Sequence, residues 1–281
     1  MAVAAPLAKG PRVALVVTTY ERPDALGAVL ASVAIQTRAP DEILIADDGS
    51  GPQTEAVIEH WRAQLPSPVV YVRQSKQGFR LARLRNLAAA ATDCEYMVYI
   101  DGDMLLERRF VADHCAAART RCFTQGVRAP LDAAATAAAI ASPQRPIGPW
   151  SRGLNGLRRL YALHAPPLQT LLAPLGNLVI AIKGCNQGFW RKDLVAVNGF
   201  NEAIEGWGPE DKELCARLTN SGIQRRTLWF GGIAFHLDHP PASRQRRAEN
   251  AEVLRQTLAS GATRCALGLD SHSTVGRSDS P

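Results

Sequence analysis

Two carboxylates separated by one glycine, Asp101-Gly102-Asp103, follow directly on the apolar run EYMVYI. A pair so spaced at a strand end can aim both side chains into one cleft, and the glycine lets backbone or ligand approach closely. Hard oxygen donors of this kind suit Mg²⁺ or Mn²⁺ held together with substrate phosphates; a tight turn is the bland counterpart. A second acidic pair closes the string Gly206-Trp207-Gly208-Pro209-Glu210-Asp211. Proline there opens a helix, and the helix dipole favours ionised carboxylates in its first turn, as a base or hydrogen-bond acceptor requires. Trp207 offers a flat apolar face of the sort that stacks on a sugar ring. Arg80, Arg83 and Arg85, with Asn86 beside them, open another helix. Basic side chains and free N–H groups at such a start can hold a phosphate or orient the acidic rim. His236 and His239 follow a strand-like run, and a neutral imidazole from either can complete a metal site.

Those residues must be positioned by the elements around them. Residues 12–18 and 42–48 read as short apolar strands, as do 68–72 and 95–100. Helical stretches at 23–33, 53–64 and 81–91 alternate with them. A βαβαβ order implies a mostly parallel sheet, in which ligands gather beyond the carboxyl ends of the strands. Here those ends carry Thr18-Thr19-Tyr20, Asp47-Asp48 and Asp101-Gly102-Asp103, so one rim of the sheet is acidic and polar. Residues 133–180, alanine-rich and then broken by prolines, read as a helical or irregular insertion. Order returns with 186–200, a helix over 209–222 stopped at Gly222, a strand over 226–235 and a helix near 243–259. The last dozen residues read as a frayed polar tail.

Composition narrows the function classes. The chain has 281 residues with 46% AVILMFWYC-type and 21% charged, enough apolar material for a substantial core. No apolar run reaches the roughly 18–20 residues a membrane-spanning helix needs. Six cysteines without a C-x-x-C pair fit a reducing cytoplasm. Net charge is +6, and residues 133–192 hold no Asp or Glu at all. A one-signed stretch of that length attracts anions, yet no recognition helix, zinc-finger spacing or RNP-like aromatic pattern points to nucleic acid. The phosphate loop, the dinucleotide glycine fingerprint, H-E-x-x-H and G-x-S-x-G are all absent, which disfavours NTPases, nicotinamide dehydrogenases, zincins and serine hydrolases.

The strings VVTTYERPDALGAVLASVAIQT, EILIADDGS, GFRLARLRN, YMVYIDGDM and GCNQGFWRKDLVAVNGFNEAIEGWGPEDKELCARL occur in this order over roughly residues 12–240. Together they resemble the family 2 inverting glycosyltransferases. GWGPED is similar to the W-G-x-E-D element of galactosyltransferase-like and chondroitin-polymerase-like enzymes. The resemblance implies an α/β, Rossmann-like sheet flanked by helices, the glycosyltransferase A-type fold. It implies a catalytic domain over 1–242, carrying an acceptor-side insertion at 133–180, and a C-terminal helix and tail over 243–281. Thr19, Tyr20 and Glu21 would border the nucleotide, Asp47 or Asp48 would meet base or ribose, and Arg80, Arg85, Asn86 and Trp207 would line the donor site. Asp101 and Asp103 would hold Mn²⁺ or Mg²⁺ and the diphosphate, with His236 as third ligand and His239 as its alternative. Asp211 would be the base and Glu210 would bind hydroxyls. The implied reaction moves a sugar, expected from a UDP-hexose, to a glycan or lipid-linked acceptor in bacterial surface-polysaccharide or lipopolysaccharide synthesis. The basic stretch would face an anionic acceptor or the inner membrane surface. Two other readings are a non-catalytic sugar-binding protein on this fold and a sugar-1-phosphate nucleotidyltransferase. The latter needs a Gly-rich basic loop where Thr19-Tyr20-Glu21-Arg22 stands.

Overall fold

A computed structural model of the protein describes residues 10–154, 156–240 and 244–272. The first half builds β1 (Val13–Thr19), α1 (Pro23–Ala34), β2 (Glu42–Asp47), α2 (Pro52–Arg62), β3 (Val69–Arg73), α3 (Leu81–Ala90) and β4 (Tyr96–Asp101). Then come β5 (Met104–Leu106), α4 (Phe110–Ala117), β6 (Cys122–Gln125), β7 (Val127–Pro130) and α5 (Ala133–Ala141). A 3₁₀ turn (Gly156–Ala162) leads to α6 (Pro166–Val179), β8 (Asn186–Trp190), α7 (Arg191–Ala196) and α8 (Glu210–Asn220). β9 (Gln224–Thr227), β10 (Ile233–His236), α9 (Arg247–Ser260) and a 3₁₀ turn (Leu269–His272) finish the described chain.

The large sheet runs β3-β2-β1-β4-β8-β6-β9. Its first four strands are parallel, and β8 enters antiparallel to β4. Every residue of β1 is buried, as a central parallel strand covered on both faces requires. The two-residue period divides it: Val13, Leu15 and Val17 pack with Leu26, Leu30 and Ile58 on one face. Ala14 and Val16 pack with Leu84, Leu214 and Leu218 on the other. Each such side chain contributes about 1.5–3 kcal/mol by leaving water. Register then aligns the chemistry, because Thr18 lies opposite Asp101 and Thr19 opposite Asp47. Prolines at the first turns of α1 and α2 start these helices at the strand ends, and Gly222, at φ +78°, stops the α8 segment.

One expectation is corrected by the second half. The strand expected over 226–235 is split: β9 is an edge of the large sheet, whereas β10 is the centre of a three-stranded sheet, β5-β10-β7. Phe230 and Gly232, both at positive φ, turn the chain between them. The reversal sets His236 opposite Met104 in the antiparallel β10–β5 pair, one residue from Asp103. Residues 133–180 are helical over much of their length and anchored to the core. Asp132 caps α5 by accepting from the Ala135 N–H, and Leu154, Ala162 and Ile180 enter a third core cluster with Val127, Ile233 and Phe235. The expected boundary at 242/243 and the tail beyond residue 272 lie outside the described residues. Within them, α9 packs on α8, where Thr257 Oγ1 donates to Glu213 Oε1 at 3.0 Å.

Candidate active site

The sharp turn after β4 fixes the first carboxylates. Gly102 N–H donates to the Thr18 carbonyl at 2.6 Å. A Cβ on Gly102 would stand 2.8 Å from that oxygen, so only glycine permits the approach. Asp101 and Asp103 then diverge. Asp103 Oδ2 lies 3.0 Å from His239 Nε2 and 3.6 Å from His236 Nε2, and the two imidazole nitrogens are 3.2 Å apart. The ligand atoms of these three residues fall within 4.8 Å of one another. Asp103 Oδ1 is buried and has no hydrogen-bond partner among the described residues. Buried polar atoms are rarely left so, which marks a place for a ligand. Burial pushes the Asp103 carboxyl up, but the His239 hydrogen bond and the two imidazoles bring it below its usual range. Burial lowers His236, while the hydrogen bond to Asp103 raises His239. Both histidines therefore flank Asp103, where the sequence leaves the choice open.

Asp101 does not join that cluster. Its Oδ1 accepts from Arg85 at 3.1 Å and from Thr18 Oγ1 at 3.2 Å. Arg85, 1% exposed, donates its other terminal nitrogen to Glu210 Oε1 at 3.1 Å. One buried guanidinium thus ties the strand-end pair to the helix-start pair across 125 residues of chain. Burial, and next the Asp211 charge, push Glu210 up to about 7, against the pull of Arg85. Burial likewise raises Asp211, again opposed by Arg85. A carboxylate raised by desolvation beside a like charge is poised to take a proton. Gly184 sits under both partners: its carbonyl accepts from Arg85 at 3.3 Å and its N–H donates to Asp211. A Cβ there would meet Arg85 at 2.9 Å. The sequence places Gly184 in a matching string without disclosing that role.

On the other side of the rim, the nucleotide-binding expectations separate. Asp47 is fully buried and spends its carboxylate on Ser50 and on the Tyr71 hydroxyl, which builds the loop after β2. Asp48 accepts from Gln74 at 2.6 Å and from Lys76 at 2.7 Å. Lys76 Nζ lies 3.4 Å from the centre of the exposed Tyr20 ring. Lys76 is a candidate that reading by motif misses, because it falls in an irregular loop. Glu21, at φ +49°, accepts from the Gly51 N–H, and Thr19 Oγ1 is buried without a partner among the described residues. Arg80 donates to the Ser75 carbonyl at 2.6 Å. Asn86 corrects its expectation. It is fully buried, and both ends of its amide are used by Phe200 and Glu202, so it ties α3 to the 200–202 loop instead of facing a ligand. Trp207 is 37% exposed, with Arg244 and Arg247 over its ring at 5.0 and 5.9 Å.

Residues 14–129 match the family described as Glycosyl transferase family 2, and residues 180–240 match the N-terminal domain of galactosyltransferase. Over residues 14–129 the chain is similar to the family 2 glycosyltransferases. The second match spans the Gly184 turn, Glu210, Asp211, His236 and His239, and the first spans Arg85, Asp101 and Asp103. The chain is 27% identical over 229 residues to validoxylamine A glucosyltransferase of Streptomyces hygroscopicus subsp. limoneus, covering 76% of this chain and 49% of that one. Chondroitin synthase of Escherichia coli is 26% identical over 263 residues, covering 87% and 37%. The chain therefore spans half or less of the length of these relatives. Among solved structures, the mannosyltransferase of Pyrobaculum calidifontis in complex with GDP-Man and Mn²⁺ superposes with TM-score 0.61 at 17% identity, over 92% of this chain and 67% of that one. S. aureus TarS 1–349 with UDP-GlcNAc gives 0.59 at 14%, over 93% and 69%. The mostly parallel sheet between helices is thus the glycosyltransferase A-type fold.

Proposed function

We propose that the protein transfers a sugar from a nucleotide donor, a UDP-hexose, to a hydroxyl of a glycan or lipid-linked acceptor, inverting the anomeric carbon in one displacement. The observation that carries this reading is the cluster of Asp103, His236 and His239, in which Asp103 Oδ2 faces both imidazoles and the buried Oδ1 has no partner among the described residues, beside carboxylates joined through Arg85. One carboxylate and two imidazoles form a mixed donor set that suits Mn²⁺ better than Mg²⁺, which prefers oxygen throughout. Asp103, His236 and His239 would hold such a cation, which would supply neutralising charge beside a departing diphosphate. Asp211 accepts the proton of the attacking hydroxyl, and Glu210, held by Arg85, accepts hydrogen bonds from sugar hydroxyls. Tyr20, Asp48 and Lys76 border the nucleoside, and Trp207 stacks on a sugar ring. Bacterial surface-polysaccharide synthesis is the setting we infer for this reaction, in keeping with a chondroitin synthase of Escherichia coli among the relatives.

The test is incubation with Mn²⁺ and a panel of UDP-, GDP-, CDP- and TDP-sugars. Slow release of one nucleoside diphosphate, abolished by chelator and much reduced in Asp211→Asn, is the expected result. No release and no nucleotide binding across the panel would contradict the reading.

A further inference from the structure

The acid-free stretch 133–192 exposes large apolar side chains together with basic ones. α6 points Leu168, Leu171, Leu175 and Leu178 outward, at spacings of three and four residues that form one helix face. Leu171 is 73% and Leu178 84% exposed. The opposite face is fixed to the protein: Gln169 and Gly176 are buried, and Asn177 exchanges hydrogen bonds with Arg225 and Thr227. From the same segment come Leu157, 83% exposed, and Trp150, 85% exposed with the Arg159 guanidinium 5.8 Å from its ring. Arg145, Arg152 and Arg158 are exposed as well.

A soluble face does not expose leucines in register unless something covers them. A second copy is a poor cover, because a two-fold contact would set these arginines against their own copies with no acid in the stretch to offset them. An anionic bilayer answers both features. We propose that this face docks on an anionic phospholipid surface, with the leucines and Trp150 at the acyl boundary and the arginines on lipid phosphates. The 14-residue helix is about 21 Å long, short of the roughly 30 Å hydrocarbon core, so it lies in the interface and does not cross. Four residues, Ile180 to Lys183, separate α6 from Gly184, so docking brings the Arg85–Asp211 region next to the lipid surface.

Co-sedimentation of the full chain with vesicles tests this independently of the transfer reaction. Binding to phosphatidylcholine containing about 30% phosphatidylglycerol should exceed binding to phosphatidylcholine alone by about tenfold or more. Leu171→Glu/Leu178→Glu should abolish it, and Arg145→Gln/Arg152→Gln should weaken it, while melting temperature and donor hydrolysis stay unchanged. No binding to the anionic vesicles, equal binding to neutral ones, or full binding by the glutamate variant overturns the proposal. So does a lipid-free dimer that the glutamate variant dissolves.

Discussion

Glu210 holds its proton to about pH 7 because it is buried and because Asp211 stands next to it, with Arg85 pulling the other way. Removing the neighbouring charge takes away one of the three upward causes, leaving burial and the Asp101 charge. In Asp211→Asn the Glu210 titration should therefore move down from about 7 toward 4.5, as ¹³C-carboxyl NMR would report. If Asp211 is the base, turnover should fall in the same variant by about 10²–10⁴-fold while nucleotide binding persists. The stability sign follows from the raised pKa. The folded state holds this proton more tightly than the unfolded chain, so the contribution is full below about 4.5 and lost as pH rises through about 7. Glu210→Gln should flatten that part of the pH–stability curve in urea denaturation, and an unchanged slope would assign the loss to another group.

At the scale of elements, Arg85 joins α3 to the end of β4 and the start of α8. Its loss leaves Glu210 buried without its cation. Arg85→Ala should cost about 3 kcal/mol, the lower end for a broken buried pair because Asp101 is partly solvated. Calorimetry would measure it, and a loss below about 1 kcal/mol would mean the carboxylates do not depend on this bridge. The elements that present these groups are legible in the sequence, since apolar strands such as VALVVTT and proline-led helices carry strong local signals. D-G-D and G-W-G-P-E-D are legible for the same reason. What sequence cannot disclose is partnership. That Arg85 spends itself on carboxylates, or Asn86 on the 200–202 loop, depends on contacts 16–125 residues apart along the chain. Short strands β5, β6 and β7 are hidden because three or four residues carry too little periodicity, and the split of 226–236 depends on two positive-φ residues in Phe230-Gly231-Gly232.

Across the whole molecule, two sheets must keep their relative position for Asp103 to meet the histidines of β10 and the turn after it. Their junction is polar and buried. His114 bonds Asn186 Oδ1 at 2.9 Å, and Asn186 Nδ2 donates to the carbonyls of Val127 and Gly232. Burial holds His114 down at about 4, so it is neutral in the folded protein at neutral pH. Its folded pKa lies below the ordinary 6.5, so the stability it confers is present above 6.5 and lost as pH falls toward 4. Unfolding free energy should decline over that window, and His114→Gln should remove part of the decline. Divalent-cation binding at Asp103, His236 and His239 should be linked to donor binding. Calorimetric titration of a UDP-sugar with and without Mn²⁺, on the intact chain and on Asp103→Asn, tests that linkage most directly. The expected result is at least about tenfold tighter binding with Mn²⁺ in the intact chain and no Mn²⁺ effect in the variant; equal affinity in all four titrations would contradict it.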